Sequence, residues 1–272
     1  MSVGFIGTGS MGSILIEAFI ESDALLPQDI IVCNRTPSKS ERLAELYEGL
    51  TVAESNTLVA LQSSIIFLCV KPAEFNQVIA EIAPVLLPTQ IVISITSPIQ
   101  ISFLEQQLRA KIAKVIPSIT NYVLSGVTLC IFGERMLPED QQNVDNLLSY
   151  ISEPIQIKEN FTRISSDISS CGPAFFAFLL QKFIDAAVEE TGIPQQQANR
   201  LACEMLLGTG KLLTEGGFTP GELQMRVAVP GGITAEGLKL MDKELKDVFH
   251  QLIRITHAKY YEDVEKVNPL QG

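Results

Sequence analysis

Three observations in this sequence predict an α/β protein, a doubly wound parallel sheet followed by an all-α domain. Short apolar runs rich in β-branched residues recur through the first half. Amphipathic stretches of helical length separate most of them. From about Phe161 onward no strand pattern remains. Strands alternating with helices imply parallel pairing through crossover connections.

The expected strands are Val3–Ile6, Ile30–Val32, Ile65–Val70, Ile91–Ile95, Ala113–Ile116 and Val127–Phe132. Periodicity alone does not separate such short runs from buried helix, but their β-branched content and flanking turn residues favour strand. Between them, "SKSERLAELYEG" and "AEFNQVIAEIAPVL" read as helices. In the second half, "GPAFFAFLLQKFIDAAVEETG" reads as a long apolar helix with Pro173 near its start and Gly192 as its stop. "IPQQQANRLACEMLLGTGKLLTEGG" repeats that plan from Pro194 to Gly216-Gly217. Thr219-Pro220-Gly221-Glu222 has the arrangement of a capping box with proline at the first helical position. A last helix is expected from about Lys243 to Tyr261. These features divide the chain into domains 1–160 and 161–272. Two of the helices are apolar on more than one face, which a handful of helices cannot bury among themselves, so a partner subunit is the economical cover.

Composition narrows the class. The chain has 272 residues, 46% of them hydrophobic, enough to bury a real core. No apolar run reaches the roughly 18 residues of a membrane span; the greasiest, Ala174–Leu180, is cut by Gln181 and Lys182. The five cysteines are scattered without a C-x-x-C pair, which favours reduced thiols over a disulfide framework. A net charge of −11 argues against nucleic acid as the main partner. The N-terminus carries no basic leader, and the expectation is a soluble, cytoplasmic protein without a membrane partner.

The opening, "MSVGFIGTGSMG", sets Gly7, Gly9 and Gly12 in G-x-G-x-x-G spacing, directly after the first expected strand. In that context the turn Gly7-Thr8-Gly9-Ser10-Met11-Gly12 is a dinucleotide turn of Rossmann type. Its first glycine makes the bend, its second admits the pyrophosphate and its third allows close helix packing. About 20 residues on, NAD-binding turns place an acid for the ribose 2′-hydroxyl. Here that place holds Asn34, Arg35 and Thr36. A carboxylate would repel a 2′-phosphate, whereas a guanidinium pairs with it, so the expected cofactor is NADP(H); the plainer reading is a solvated surface arginine.

Cys69-Val70-Lys71-Pro72 ends a strand, where ligands of open α/β sheets bind, and Asn56 can face the same pocket or cap a turn. His250 and His257 lie seven apart with no converging carboxylate pair, so no metal site is expected. "SSCGPAF" (Ser169–Phe175) and "VPGGIT" (Val229–Thr234) each precede an expected helix. Each either offers free amides to an anion such as a substrate carboxylate or is a plain interhelical turn.

Taken in order, the opening turn, "NRT", "VKP", "GPAF", "GIP", "LLGTGKLL", "TPGEL" and "PGGIT" resemble the pyrroline-5-carboxylate reductase family over nearly the whole chain. The resemblance implies an N-terminal NAD(P)-binding domain, a C-terminal helical domain that dimerises, and hydride transfer from NAD(P)H to the cyclic imine 1-pyrroline-5-carboxylate, the last step of proline synthesis. It implies that the glycine turn, Asn56 and the Lys71-Pro72 corner line the cofactor. It implies that Ser170, Cys171, Gly172 and Pro173, with Gly231, Gly232 and Ile233, hold the substrate carboxylate, and that Thr234 orients the ring nitrogen as the catalytic residue. A homodimer, extensible to a larger assembly of dimers, follows from the same resemblance.

The departures concern the substrate. The family usually reads Met-Pro-Asn-Thr-Pro where Ile116-Pro117-Ser118-Ile119-Thr120 stand. It reads Ser-Gly-Ser-Gly-Pro-Ala at Ser169–Ala174 and Ser-Pro-Gly-Gly-Thr-Thr at Val229–Thr234. Backbone-based elements persist while several hydroxyl and amide side chains are gone, a pattern resembling the divergent late-competence (ComER-type) paralogues. The expectations are therefore three: a pyrroline-5-carboxylate reductase, a related NADP-dependent reductase of another imine or oxo acid, or a non-catalytic NADP(H)-binding regulator.

Overall fold

The computed structural model describes residues 2–267. Eight strands form one sheet: β1 (Val3–Ile6), β2 (Ile30–Cys33), β3 (Thr51–Val52), β4 (Ile65–Leu68), β5 (Ile91–Ser94), β6 (Lys111–Ile116), β7 (Val127–Phe132) and β8 (Glu153–Gln156). Their order is β3-β2-β1-β4-β5-β6-β7-β8, so the order reverses beside β1. The helices of this part are α1 (Ser10–Glu21), α2 (Pro37–Leu46), α3 (Asn56–Gln62), α4 (Phe75–Ile82), α5 (Ile101–Gln107), α6 (Pro138–Ser149) and α7 (Thr162–Ser166). Then follow α8 (Gly172–Thr191), α9 (Gln195–Thr214), α10 (Pro220–Val227), α11 (Ile233–Leu245) and α12 (Val248–Val267).

Alternation along the inner strands feeds two cores. Val3, Phe5, Phe67 and Ile93 pack on one face with Leu15 and Phe19 of α1, while Ile6, Ile66, Leu68 and Val92 pack on the other with Phe75, Ile79 and Ile82 of α4. Phe5 and Phe67 are register partners on β1 and β4, and their rings stack at 4.8 Å.

The sheet departs from the sequence reading at three places. β7 runs antiparallel to β6, where the expectation was parallel throughout. The link, residues 117–126, is shorter than the dozen or more residues a crossover needs. The chain therefore reverses through left-handed Leu124 (φ 51°) and Gly126 (φ 76°). β3 and β8 went unread because neither carries a buried apolar run; β3 is exposed, and β8 is an edge strand containing Pro154 and Glu153. The last helix, expected from about Lys243 to Tyr261, is α12 and starts later, at Val248, because Lys243 still belongs to α11.

The chain divides into two compact units: one runs to Pro173 and takes in the chain from Thr256, and the other is Ala174–Ile255. The second unit has a small core of its own, Ile184, Ala198 and Ala202 with Leu180, Val188 and Ile193 around them. It leaves Phe176, Phe178, Phe183, Leu201, Leu206 and Leu207 exposed, far more apolar side chain than a soluble surface carries without a partner. The continuous helical run Glu159–Thr191 is long and apolar enough, by length and composition alone, to cross a membrane.

Candidate functional site

The carboxyl ends of β1, β2 and β4 open onto a cleft of about 610 Å³. At its floor the glycine turn is built from steric necessity. Gly7 adopts φ 101°, donates its N–H to Cys33 O at 2.8 Å, and would drive a Cβ into the Cys69 carbonyl. A Cβ on Gly12 would meet the Gly7 carbonyl. Around Gly9 there is open space instead, which is where a phosphate would approach. Gly9 caps α1 with no side-chain hydrogen bond, and the first turn of α1 carries no acid, so the positive end of the helix faces the cleft. The Thr8 hydroxyl, 3% exposed as a residue, is buried without a partner among the described residues. Unused donors, an open approach at Gly9 and a helix N-terminus fit a dinucleotide pyrophosphate.

Of the residues expected at the cofactor, Gly7, Gly9, Asn34, Arg35, Thr36, Asn56, Cys69, Val70 and Lys71 line this cleft. Thr8, Ser10, Met11, Gly12 and Pro72 lie in the adjoining turns without lining it. Asn34 braces the turn rather than reaching outward: its Oδ1 accepts Thr8 N–H at 3.1 Å and its Nδ2 donates to Thr36 O at 2.9 Å. Arg35 is exposed and ion-paired to Glu74 at 2.6 Å. Asn56 Nδ2 donates to Glu81 Oε2 at 2.7 Å. The Val70 carbonyl accepts the Thr96 hydroxyl at 3.0 Å, which fixes the corner after β4. Burial pushes the Cys69 and Cys33 thiols up, with Glu81 adding to the effect at Cys33, which favours the thiol over the thiolate at both.

Sequence reasoning missed Lys39, Glu74 and Glu81, which share the cleft. Lys39 was legible, one helical turn beyond Arg35 at the start of α2. The two glutamates were not, since only the fold brings the segment after β4 to the end of β2.

A second constellation surrounds Pro173. The sequence places a helix start here, either offering free amides or following a plain interhelical turn. The structure instead runs helix continuously through a π-turn segment, Asp167–Cys171, into α8. The physical reason is the proline, which cannot donate to the carbonyl four residues back and whose ring crowds it. That carbonyl, Ser169 O, accepts the buried Ser118 hydroxyl at 2.9 Å instead. Ser170 Oγ donates to Pro117 O at 3.0 Å, so two hydroxyls staple the π-turn to the end of β6. Arg163 donates to Asp167 at 2.8 Å and to Cys171 Sγ at 3.1 Å, and Thr256 Oγ1 donates to Asp167 at 2.7 Å.

Gly231, Gly232, Ile233 and Thr234 belong to the other compact unit. Gly231 takes φ 74° and Gly232 caps α11. The Gly232 amide is already used, donating to Val229 O at 2.9 Å, so the amides that α11 leaves without an intrahelical acceptor are those of Ile233 and Thr234. The Ile233 side chain is 95% exposed. Thr234 lines a smaller groove of about 310 Å³ with Leu213, Leu223 and Leu238. Among the described residues no group of three or more His, Cys, Asp or Glu is placed to hold a metal ion.

Comparison with known proteins agrees with this layout. Residues 159–263 match the family described as pyrroline-5-carboxylate reductase dimerisation, and residues 2–98 match NADP oxidoreductase, coenzyme F420-dependent. The chain is 45% identical over 267 residues to ComE operon protein 4 of Bacillus subtilis, covering 98% of each chain. It is 31% identical over 244 residues to the pyrroline-5-carboxylate reductase of Escherichia coli, covering 89% of this chain and 90% of that one. The pyrroline carboxylate reductase of Plasmodium falciparum, solved with NADP bound, superposes with a TM-score of 0.83 at 24% identity, covering 100% of this chain and 98% of that one. In fold, in motif order and in identity over nearly its whole length, the chain belongs to the pyrroline-5-carboxylate reductase family.

Proposed function

We propose that this chain is an NADPH-dependent reductase of a cyclic imine, converting 1-pyrroline-5-carboxylate to L-proline as a soluble, cytoplasmic homodimer. The observation that carries this reading is the lip of the cleft, where the cations Arg35 and Lys39 stand in the place of the ribose-binding acid, within a family whose members are named for this reaction. NADPH supplies the hydride. The chain's own part is to hold and orient. The amino end of α1 meets the pyrophosphate, and Arg35 with Lys39 meets the 2′-phosphate.

Ile233 and Thr234 supply amides for the substrate carboxylate, and the Thr234 hydroxyl orients the ring nitrogen. A protonated imine is already electrophilic, so placement contributes more than a strong general acid. Ser118 has lost the amide of the family's asparagine, and its hydroxyl is committed to Ser169 O. Neither Ile119 nor Ile233 brings a hydroxyl. Each missing neutral hydrogen bond costs about 0.5–1.5 kcal/mol, so substrate affinity falls by roughly ten- to a thousandfold relative to a relative with the full set. Ile233→Thr and Ser118→Asn should recover part of that loss, and Thr234→Ala should lower turnover.

The test is a steady-state assay with NADPH and a panel of five- and six-membered cyclic imino acids. Fastest turnover with pyrroline-5-carboxylate supports the proposal; faster turnover with another imine reassigns the substrate. A second reading, NADP(H) binding without turnover, is favoured by the 45% identity to a protein named for the ComE operon rather than for a reaction. No imine oxidising bound NADPH would establish it.

A further inference from the structure

We infer that Glu74 sets the strength of cofactor discrimination by competing with the 2′-phosphate for Arg35; this rests on the NADP(H) reading above. Glu74 follows β4 in the turn opened by Lys71-Pro72, and its two carboxylate oxygens do different things. One accepts the Lys71 N–H at 3.2 Å, which closes that turn. The other takes Arg35 Nη1 at 2.6 Å. A single side chain therefore ties the end of β4 to the end of β2 across the mouth of the cleft. Its oxygen occupies the guanidinium as a phosphate oxygen would.

The pair is unequal. Arg35 is 81% exposed and Glu74 27%, so the carboxylate is the more enclosed partner and the guanidinium the solvent-facing one. Arg35 uses one nitrogen on Glu74, whereas a phosphate can take the fork through two parallel N–H groups. The phosphate therefore wins Arg35 while a fixed negative charge remains beside the phosphate it binds. Lys39 lines the same cleft and offsets part of that repulsion. NADH carries only a neutral 2′-hydroxyl at this position, so its binding leaves the Arg35–Glu74 pair intact. Glu74 accordingly weakens NADPH binding selectively and narrows the preference that Arg35 creates.

Glu74→Gln keeps a carbonyl oxygen for the Lys71 N–H and replaces the charged oxygen facing Arg35 with a neutral amide nitrogen that cannot accept from it. Calorimetric titration of NADPH, NADH and adenosine 2′,5′-bisphosphate against wild type, Glu74→Gln, Glu74→Ala, Arg35→Ala and Arg35→Ala/Glu74→Gln tests it. An exposed ion pair and one like charge are weak interactions, so Glu74→Gln should tighten NADPH and the bisphosphate by about two- to tenfold. The NADPH-to-NADH affinity ratio should rise by the same factor, and Glu74→Ala should move it in the same direction. In the Arg35→Ala background the gain should shrink to the part that direct repulsion of the phosphate contributes, and an undiminished gain there would overturn the competition. If Arg35→Ala weakens NADPH but Glu74→Gln leaves it unchanged or weaker, the competition inference fails and the NADP(H) reading stands. If Arg35→Ala leaves NADPH affinity untouched, both fall together.

Discussion

A guanidinium facing a phosphate contributes about 1.5–3 kcal/mol, and the exposure of Arg35 places it at the lower end. Arg35→Ala should therefore weaken NADPH binding by roughly tenfold and leave NADH near its starting affinity, as read by fluorescence titration. The place of Arg35 at the cleft was legible from its spacing after the glycine turn. Its partner was not, because Glu74 is distant in sequence and nothing local marks it as an Arg35 ligand. Lys114 is a similar case. It is fully buried on β6, donating to Glu159 Oε1 at 2.5 Å and to Ser97 O at 3.4 Å. Burial lowers its pKa from 10.5, with Glu159 opposing the shift. The folded chain thus binds fewer protons than the unfolded chain between the lowered value and 10.5, so this group makes stability rise with pH across that window. Glu159→Gln removes the opposing carboxylate and leaves a buried charge unpaired, at a cost of about 3–5 kcal/mol at neutral pH. The pH-dependent gain should then begin at lower pH. Lys114→Met should be close to neutral, since Glu159 is half-buried and can be hydrated. Urea unfolding at neutral and alkaline pH reads both outcomes.

The π-turn before α8 is the element whose form the sequence hid. Pro173 reads as a helix start because proline favours the first turn, yet here the chain is already helical and resolves the missing N–H by widening one turn. Ser118→Ala removes the hydroxyl that serves the Ser169 carbonyl and should cost about 1–3 kcal/mol. In a Pro173→Ala background, where an amide is restored four residues on, the same change should cost less. Unfolding free energies of the four forms give the coupling directly. The inner strands were readable because burial on both faces demands continuous apolar runs, as β1, β4 and β5 show. β3 and β8 sit at sheet edges, where burial writes no such pattern. The capping box of α10 was readable to the residue: Thr219 Oγ1 accepts Glu222 N–H at 3.3 Å and Glu222 Oε2 accepts Thr219 N–H at 2.8 Å.

For the whole molecule, the exposed aromatic and aliphatic side chains of α8 and α9 and the match to a dimerisation family call for a self-associated protein. Phe183 is 67% exposed in the single chain, so Phe183→Glu places its charge mainly on the solvent-facing side of that chain. It should shift wild-type dimers seen by light scattering at micromolar concentration toward monomer or aggregate; a wild type that is a stable folded monomer would contradict the interface. Substrate chemistry is the level least legible in the sequence, because the carboxylate contacts we propose rest on backbone amides whose availability only the helix geometry reveals, as the engaged Gly232 amide shows. The most direct measurement is isotopic. NADPH deuterated at the transferring position is supplied to the purified protein with 1-pyrroline-5-carboxylate, and the product is analysed by mass spectrometry. Proline carrying one deuterium on the ring carbon of the former C=N bond is the predicted result; bound NADPH with no labelled proline formed would contradict hydride transfer to this imine.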